Sequence, residues 1–231
     1  MLKLTEVDSF YSDSHILHSV SMNIQEGSFT TILGRNGMGK TTLLKTIMGL
    51  TDKIRGRIEI GNKVLTALPT HLRAKSGISY VPQGREIINN FTIRENILMG
   101  CYARQDGKKI IPEIVLELFP YLREHLNRRA GLLSGGQQQQ LAVARALASK
   151  PKVLLLDEPT EGIQPNLVEL IEHTLIRLNK EFGITIVLVE QNINFARRAS
   201  DQFVMMNNGS IAIDGAISEL NDDVVHKYMT V

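Results

Sequence analysis

The stretch FTTILGRNGMGKTTLLKTIMG at residues 29–49 decides the fold, because it joins a strand, a loop and a helix in a fixed order. The run Phe29–Leu33 is apolar and β-branched, which predicts a buried strand. Residues 40–48 have helical spacing and end before a glycine. The loop between them contains Gly34, Gly37 and Gly39. These glycines let the backbone N–H groups of the loop approach an anion at the positive end of the helix. In this setting the pattern GxxxxGK(S/T) binds the phosphates of a nucleotide.

Three side chains at the start of this helix are predicted to hold a nucleotide and a magnesium ion. Lys40 reaches the β- and γ-phosphates, and the hydroxyl of Thr41 coordinates Mg²⁺. Thr42 is placed to contact the α-phosphate, and Asn36 in the loop belongs to the same nucleotide site. The alternative interpretation is a glycine turn that precedes a helix and binds nothing.

The segment VLLLDE at residues 153–158 places two acids at the end of another apolar run. Asp157 is expected at the carboxyl end of a buried strand, where α/β sheets bind ligands, and there it would be a partner of Mg²⁺. Glu158 is expected to polarise the attacking water as a general base. The alternative is a solvated pair of acids in a loop.

The string LSGGQ at residues 133–137 presents a hydroxyl and backbone N–H groups at the start of a helix, which makes a second anion site. The chain already has one phosphate loop. Both sites are explained if a nucleotide is sandwiched between the loop of one subunit and this string of another. The residues expected to complete such a site are Ser134, Gly135, Gly136 and Gln137. A simple helix N-cap at Ser134 is the structural alternative.

The composition is that of a soluble globular protein. The chain has 231 residues and a formal net charge of +2, which gives no argument for nucleic acid or for electrostatic attachment to a membrane. Its single cysteine, Cys101, excludes an internal disulfide and fits a reducing compartment. The longest apolar runs are too short to span a bilayer, and residues 1–8 alternate like a strand and not like a signal peptide. If the protein serves a membrane process, we expect another chain to cross the membrane.

Residues 92–148 differ from the rest of the chain, because they show helical patterns and no buried strand. Amphipathic helices are predicted at Ile93–Cys101, Glu113–Asn127 and Gly136–Ser149. After this insertion, apolar runs at 153–156 and 184–189 indicate parallel strands covered on both faces. The remaining predicted elements are a helix at 166–182, strands at 2–7, 20–24, 57–60, 202–206 and 210–213, and a final helix near 218–229.

The order of these motifs resembles the nucleotide-binding subunit of ABC transporters, and the resemblance covers essentially the whole chain. It implies an α/β fold with a P-loop NTPase core (an ABC ATPase), an antiparallel β subdomain and a helical signature subdomain. The chain would be one ABC ATPase domain over residues 1–231. In this division the RecA-like core with the β subdomain takes residues 1–83 and 150–231, and the helical subdomain takes residues 84–149 approximately.

The resemblance also assigns roles to residues that the motifs alone do not explain. It places Tyr11 against the adenine ring, and it places Gln83 at the γ-phosphate and the metal. Residues 161–164 correspond to a loop that communicates between two nucleotide sites. The segment 85–95 is expected to face a membrane permease.

Two positions depart from the pattern of the family. Gln164 stands where the family usually has Asp, and Gln191 stands at the switch position where most members have His. A glutamine amide donates a hydrogen bond to a γ-phosphate oxygen, but it carries no positive charge near neutral pH. We therefore expect Gln191 to act in catalysis with Lys40 and Glu158, with hydrolysis that is slower than usual or more dependent on Glu158.

Other strings are similar to particular importers within the family. The string EQN at 190–192 is similar to one of the two ATPase subunits of branched-chain amino acid importers. Three strings, at 83–87, 134–141 and 157–165, resemble the second ATPase subunit of bacterial urea importers. The resemblance implies a subunit that binds and hydrolyses ATP to power the import of a small polar solute, urea or a short amide. An ATPase of a branched-chain amino acid importer is the alternative.

This interpretation implies ATP and Mg²⁺ as cofactors and a peripheral position at the cytoplasmic face of the inner membrane. The expected partners are a second ABC ATPase in a homo- or heterodimer, two transmembrane permease subunits and, indirectly, a solute-binding protein. Nucleic acid is not expected as a partner.

Other classes of ATPase are alternatives to this one. A regulatory subunit that binds ATP and hydrolyses little is favoured by Gln164 and Gln191 and opposed by Glu158. ABC ATPases of DNA repair or translation carry a long coiled-coil insertion or a second fused domain, which a chain of 231 residues does not accommodate. The string LSGGQ argues against a nucleotide kinase.

Overall fold

The computed structural model describes residues 1–229, which form two sheets and the helices around them. The strands are β1 (Leu2–Tyr11), β2 (Ser14–Ile24), β3 (Phe29–Leu33), β4 (Lys53–Ile60), β5 (Lys63–Val64), β6 (Ile78–Val81), β7 (Val153–Asp157), β8 (Thr185–Val189), β9 (Gln202–Asn207) and β10 (Ser210–Ala216). The α-helices are α1 (Lys40–Met48), α2 (Thr70–Lys75), α3 (Ile93–Gly100), α4 (Glu113–Leu118), α5 (Pro120–Glu124), α6 (Gly135–Leu147), α7 (Pro165–Lys180), α8 (Ile193–Ala199) and α9 (Asp222–Met229).

The larger sheet has the strand order β10-β9-β3-β8-β7-β6, and its five strands from β9 to β6 are parallel. Strands β3, β7 and β8 are buried along their full length, as the continuous apolar runs predict for strands covered on both faces. Asp157 at the end of β7 lies opposite Val189 of β8, and Val189 lies opposite Ile32 of β3. The carboxyl ends of three neighbouring strands therefore meet at one edge of this sheet.

The smaller sheet is antiparallel, with the order β2-β1-β4-β5. Its apolar side chains, such as Leu4 and Ile58, share one core with Leu44 and Ile47 of α1 and with Leu155 of β7. Helix α1 is thus packed against both sheets, which fixes the position of its first turn. Strands β1 and β2 are longer than the sequence predicts, because they pair with each other nearly as far as their connecting turn.

Residues 92–148 are helical and contain no strand, as predicted, apart from an isolated bridge between Thr92 and Arg129. The helices α3 to α6 surround a second core that includes Ile97, Val115 and Leu141. This core continues onto the opposite face of β7 through Leu154. The two faces of the larger sheet are therefore covered by different layers.

The prediction of one helix over Glu113–Asn127 is wrong. Helix α4 ends at Leu118, α5 begins at Pro120, and Phe119 between them has φ −127° and ψ 72°. A proline disfavours the helical conformation of the residue before it, which separates the two helices. The apolar pattern crosses the break because α4 and α5 bury their side chains in the same core.

Several short elements had no clear sequence signal, namely β5, β6, α2 and α8. The final helix begins at Asp222, later than predicted, because a short 3₁₀ segment occupies Ile217–Glu219. Among residues 1–229, no helix combines the length and the apolar character needed to cross a bilayer.

Candidate functional site

The loop between β3 and α1 has a backbone conformation that only its glycines allow. Gly34, Gly37 and Gly39 have φ angles of 148°, 81° and 95°. A Cβ atom at Gly34 would lie 2.7 Å from the carbonyl oxygen of Met206, so a larger residue has no room there. Helix α1 begins at Lys40 without a capping side chain, which leaves the N–H groups of its first turn available to an anion.

Lys40 turns its ammonium group into this loop. Its Nζ donates hydrogen bonds to the carbonyl oxygens of Gly34 (2.8 Å) and Arg35 (3.0 Å), and the side chain is 5% exposed. Burial lowers the pKa of Lys40, and the carboxylates of Glu158 and Asp157 oppose this effect. Because Nζ lies 3.7 Å from Oε1 of Glu158, the expected phosphate ligand and the expected base face each other.

Asp157 and Thr41 form the oxygen pair expected at magnesium. Asp157 is fully buried, and its Oδ1 accepts a 3.0 Å hydrogen bond from the Thr41 hydroxyl. Its Oδ2 accepts a 3.0 Å hydrogen bond from the hydroxyl of Tyr80. Burial raises the pKa of Asp157, and the two hydroxyl donors oppose this rise. Burial and the neighbouring Asp157 carboxylate also raise the pKa of Tyr80, so its hydroxyl keeps its proton.

The chemistry of this pair suits Mg²⁺. Within residues 1–229, no group of three or more His, Cys, Asp or Glu side chains is arranged to hold a metal ion by itself. Mg²⁺ commonly keeps several waters and uses one or two protein oxygens together with the phosphates of its nucleotide. A hydroxyl and one carboxylate beside a phosphate loop meet that requirement.

Glu158 follows β7 in a strained backbone conformation. Its φ is 45°, in a region that costs about 1–3 kcal/mol for a residue other than glycine. Its N–H donates to the carbonyl oxygen of Val189 at 2.9 Å, which holds it against the end of β8. Its Oε1 accepts a 2.9 Å hydrogen bond from Gln191, and its Oε2 lies 3.5 Å from Nε2 of Gln83. The two glutamines predicted to sense the γ-phosphate therefore both contact the expected base.

Several of these residues line a cavity of about 310 Å³. It is lined by Ile16, Asn36, Gly37, Gly39, Lys40, Thr41, Thr42, Gln83, Glu158 and Glu161. Sequence reasoning did not assign Ile16 or Glu161 to the nucleotide site. Glu161 accepts a 2.6 Å hydrogen bond from Nε2 of Gln83, which connects the loop after β6 to the loop after β7.

A second buried carboxylate, Glu190, supports the segment that carries Gln191. It is 4% exposed and accepts hydrogen bonds from the hydroxyl of Thr160 and from the N–H groups of Gln191 (2.9 Å) and Asn192 (3.3 Å). Sequence reasoning missed this contact, because its partners belong to loops 30 residues apart. Glu190 therefore ties the loop after β8 to the loop after β7.

The other predicted nucleotide residues do not line the cavity. Tyr11 ends β1 opposite Ser14. In the string at 133–137, the Ser134 side chain caps α6 by accepting from the N–H of Gln137, and the Gln137 side chain accepts from the N–H of Ser134. The structural alternative for Ser134 is thus present, and its role toward a nucleotide remains a prediction.

The glycines of this string lie against neighbouring loops and helices. A Cβ atom at Gly136 would meet the Leu167 side chain at 2.1 Å, and one at Gly135 would meet the guanidinium of Arg85 at 3.0 Å. The string is therefore packed on its own subunit, on α7 and on the loop after β6. Its contact with a nucleotide would require a second subunit.

The chain matches a known protein family and is similar to proteins of that family. A family model described as ABC transporter matches residues 17–161. The chain is 39% identical over 232 residues to the high-affinity branched-chain amino acid transport ATP-binding protein BraG of Pseudomonas aeruginosa, covering 99% of both chains. It is 39% identical over 222 residues to the probable branched-chain amino acid transport ATP-binding protein LivF of Archaeoglobus fulgidus, covering 95% of this chain and 94% of the other.

Among solved structures, the fold is similar to the dimeric post-hydrolysis state of an ATP-binding cassette bound to ADP and Pi. The TM-score is 0.81 at 30% sequence identity, covering 94% of this chain and 99% of that chain.

Proposed function

This chain belongs to the ABC transporter family, and we propose that it is the ATP-hydrolysing subunit of a membrane importer. It is an ATPase with the ABC cassette fold, mixed α/β with an antiparallel sheet and a helical part. The observation that carries the proposal is that Lys40, Thr41 and Glu158 line the same cavity. An ammonium, a hydroxyl and a carboxylate lie around one space, which supports roles for them toward phosphate, metal and a proton of water.

Hydrolysis would use these three groups in one step. The carboxylate of Glu158 would accept a proton from water as the water oxygen bonds to the γ-phosphorus, and the bond from that phosphorus to the oxygen of the leaving ADP would break. Lys40 and the N–H groups of the loop would stabilise the charge on the transferred phosphoryl group. Mg²⁺, held by Thr41 and Asp157, would neutralise charge on the β- and γ-phosphate oxygens. Gln191 would donate to a γ-phosphate oxygen from its place beside Glu158.

The cavity of one subunit would be completed by another. The first turn of α6 offers a second set of N–H groups behind Ser134, and it lies outside the cavity of its own chain. Two chains arranged head to tail would bring Ser134 and Gly136 of each to the nucleotide held by the other, with Tyr11 against its adenine. We infer that the second chain is this ATPase or a related one.

Two permease subunits would receive the motion of the dimer at the cytoplasmic face of the membrane, and a solute-binding protein would act on the other side. The names of the relatives, both transport ATP-binding proteins, support this placement.

For the solute, the comparisons favour branched-chain amino acids, because both relatives at 39% identity carry that assignment. The urea interpretation depends on the strings at 83–87, 134–141 and 157–165 alone. Uptake of labelled leucine and of labelled urea, measured in cells with and without this chain, separates the two. Loss of leucine uptake alone supports the first assignment, and loss of urea uptake alone supports the second.

Mg-ATP turnover of the purified chain tests the ATPase assignment, alone and mixed with a candidate partner ATPase. We expect turnover in at least one mixture, and we expect Glu158→Gln to abolish it. ATP binding without turnover in every mixture would favour a regulatory subunit, for which the glutamine at position 191 is the supporting observation. No ATP binding at all would contradict the proposal.

A further inference from the structure

The hydroxyl of Tyr80 contacts the expected magnesium carboxylate, and the sequence analysis assigned no role to this residue. It donates a 3.0 Å hydrogen bond to Oδ2 of Asp157, whereas the hydroxyl of Thr41 donates to Oδ1. Each carboxylate oxygen of Asp157 therefore has its own hydroxyl donor, one from β6 and one from α1. In the sequence, Tyr80 lies 77 residues before Asp157, and Thr41 lies 116 residues before it.

The register of the larger sheet explains how Tyr80 reaches Asp157. In the parallel pair of β6 and β7, Tyr80 lies opposite Leu155, two residues before Asp157. Side chains two residues apart on a strand point to the same face, and each residue advances the strand by about 3.3 Å. A tyrosine opposite Leu155 is long enough to cover this advance of two residues, and a phenylalanine there would stop short of the carboxylate.

The rest of the Tyr80 side chain is held by packing. Its ring is packed against the core that contains Leu155 and the apolar face of α1, including Leu44. The ring is therefore fixed between the sheet and the helix that carries Thr41. The hydroxyl is the only part of the side chain with a hydrogen-bonding function, so its removal need not disturb the core.

Asp157 has a strong requirement for both donors. It is fully buried, and an ionised carboxylate accepts hydrogen bonds but cannot donate them. An unpaired carboxylate oxygen in such a place is costly, and a buried carboxylate without donors is free to rotate toward other partners. The Thr41 hydroxyl can keep its donation to Oδ1 while its lone pairs bind a metal ion.

We propose that Tyr80 is a positioning residue for magnesium: its hydroxyl holds Oδ2 of Asp157 so that Oδ1 and the Thr41 hydroxyl face the metal together. The proposal rests on the proposed function, because it assumes that this pair serves Mg²⁺ bound with ATP. Partners of this kind behind a metal ligand typically change metal affinity by roughly 10–100-fold when they are removed.

The test is the Mg²⁺ dependence of nucleotide binding in the variant Tyr80→Phe. Binding of a fluorescent ATP analogue is measured first in EDTA and then in a titration with MgCl₂. Tyr121→Phe is the matched control, because its hydroxyl accepts a 2.8 Å hydrogen bond from Arg128 in the helical part, away from the cavity. Thermal unfolding of both variants shows whether the fold is preserved.

We expect Tyr80→Phe to bind the analogue in EDTA as the parent does. The Mg²⁺ concentration at half-maximal tightening should rise roughly 10-fold, and Tyr121→Phe should match the parent in both conditions. An unchanged Mg²⁺ midpoint would overturn the proposal, and so would an equal loss of binding with and without Mg²⁺. A parent chain that binds no nucleotide would instead overturn the proposed function itself.

Discussion

The side-chain amide nitrogen of Gln191 lies 2.9 Å from Oε1 of Glu158 and 2.9 Å from Oδ1 of Asn36. One neutral amide thus connects the expected base to the phosphate loop. A histidine at this position would donate from a ring that also titrates near neutral pH, whereas the amide gives the same hydrogen bond at any pH. Gln191 therefore holds Glu158 through a neutral group and adds no positive charge to the proposed phosphate site.

Replacing this amide by an imidazole should speed hydrolysis. In Gln191→His we expect turnover to rise by about tenfold, because His⁺ would stabilise charge on the transferred phosphoryl group. The gain should be largest at low pH and should fall as pH rises through the histidine pKa, about 6.5 when unperturbed. Turnover measured from pH 5.5 to 8.5 checks this, with Gln191→Ala as the variant that loses the donor. An equal effect of His at every pH would exclude the charge explanation.

Removing the carboxylate of Glu158 should stop ATP hydrolysis and preserve ATP binding. In Glu158→Gln, turnover should fall at least about 100-fold because no group accepts the proton of water. ATP should still bind, and the bound dimer should persist, which size-exclusion chromatography in ATP detects. Glu169→Gln, on the exposed surface of α7, is the matched control. Hydrolysis by Glu158→Gln at the parent rate would show that another group is the base.

The ammonium of Lys40 should contribute to binding and little to folding. In Lys40→Ala we expect nucleotide binding to be lost, because the buried charge beside the glycine loop is lost. The thermal midpoint should stay close to that of the parent, because burial already disfavours the charged form, as its lowered pKa indicates. Equilibrium binding and thermal unfolding measure these two effects, with the exposed Lys63→Ala as control. Unchanged ATP affinity would contradict the assignment of the phosphate loop.

The hydrogen bond between Thr160 and Glu190 should stabilise the loops after β7 and β8, which carry Glu158 and Gln191. Thr160→Val leaves a buried carboxylate oxygen without this donor, which should cost about 1–3 kcal/mol of unfolding free energy. Turnover should fall as well, because Glu190 also holds the N–H of Gln191. Thr160→Ser keeps the hydroxyl and should resemble the parent. Urea denaturation and turnover measure the two effects, and equal stability of the Val and Ser variants would refute the argument.

The loop after β6 is strained and is held by Arg145 of α6. Arg85 and Glu86 have φ angles of 71° and 43°, and the Arg145 guanidinium donates to their carbonyl oxygens at 3.0 Å and 2.7 Å. Arg145→Gln should therefore lower the unfolding free energy by about 1.5–3 kcal/mol.

A second substitution separates strain from the lost contacts. Adding Arg85→Gly to Arg145→Gln should restore about 1 kcal/mol, because glycine adopts positive φ without the penalty of a larger residue. Denaturant unfolding of the single and double variants measures this, with the exposed Arg123→Gln as control. If the double variant is less stable than Arg145→Gln alone, backbone strain is not the reason why Arg145 holds this loop.

The first turn of α1 and the strands beside it were predictable because their signals are local. Residues 29–33 and 40–48 have the predicted bounds, since the glycines at 34–39 and at 49 end each element sharply. The fully buried strands β7 and β8 followed from continuous apolar runs. The apolar pattern was misleading around Pro120, because it continued through a break between two helices that this proline imposes.

The sequence by itself determined which chemical groups stand at the end of each strand and at the start of α1, because glycine loops and apolar runs act within a few residues. Tertiary structure alone decided their partners. Tyr80 meets Asp157, Thr160 meets Glu190, and Gln191 meets Asn36 across 77, 30 and 155 residues respectively. Such contacts depend on strand order and register, which bring distant loops to one edge of the sheet and which no spacing along the chain encodes.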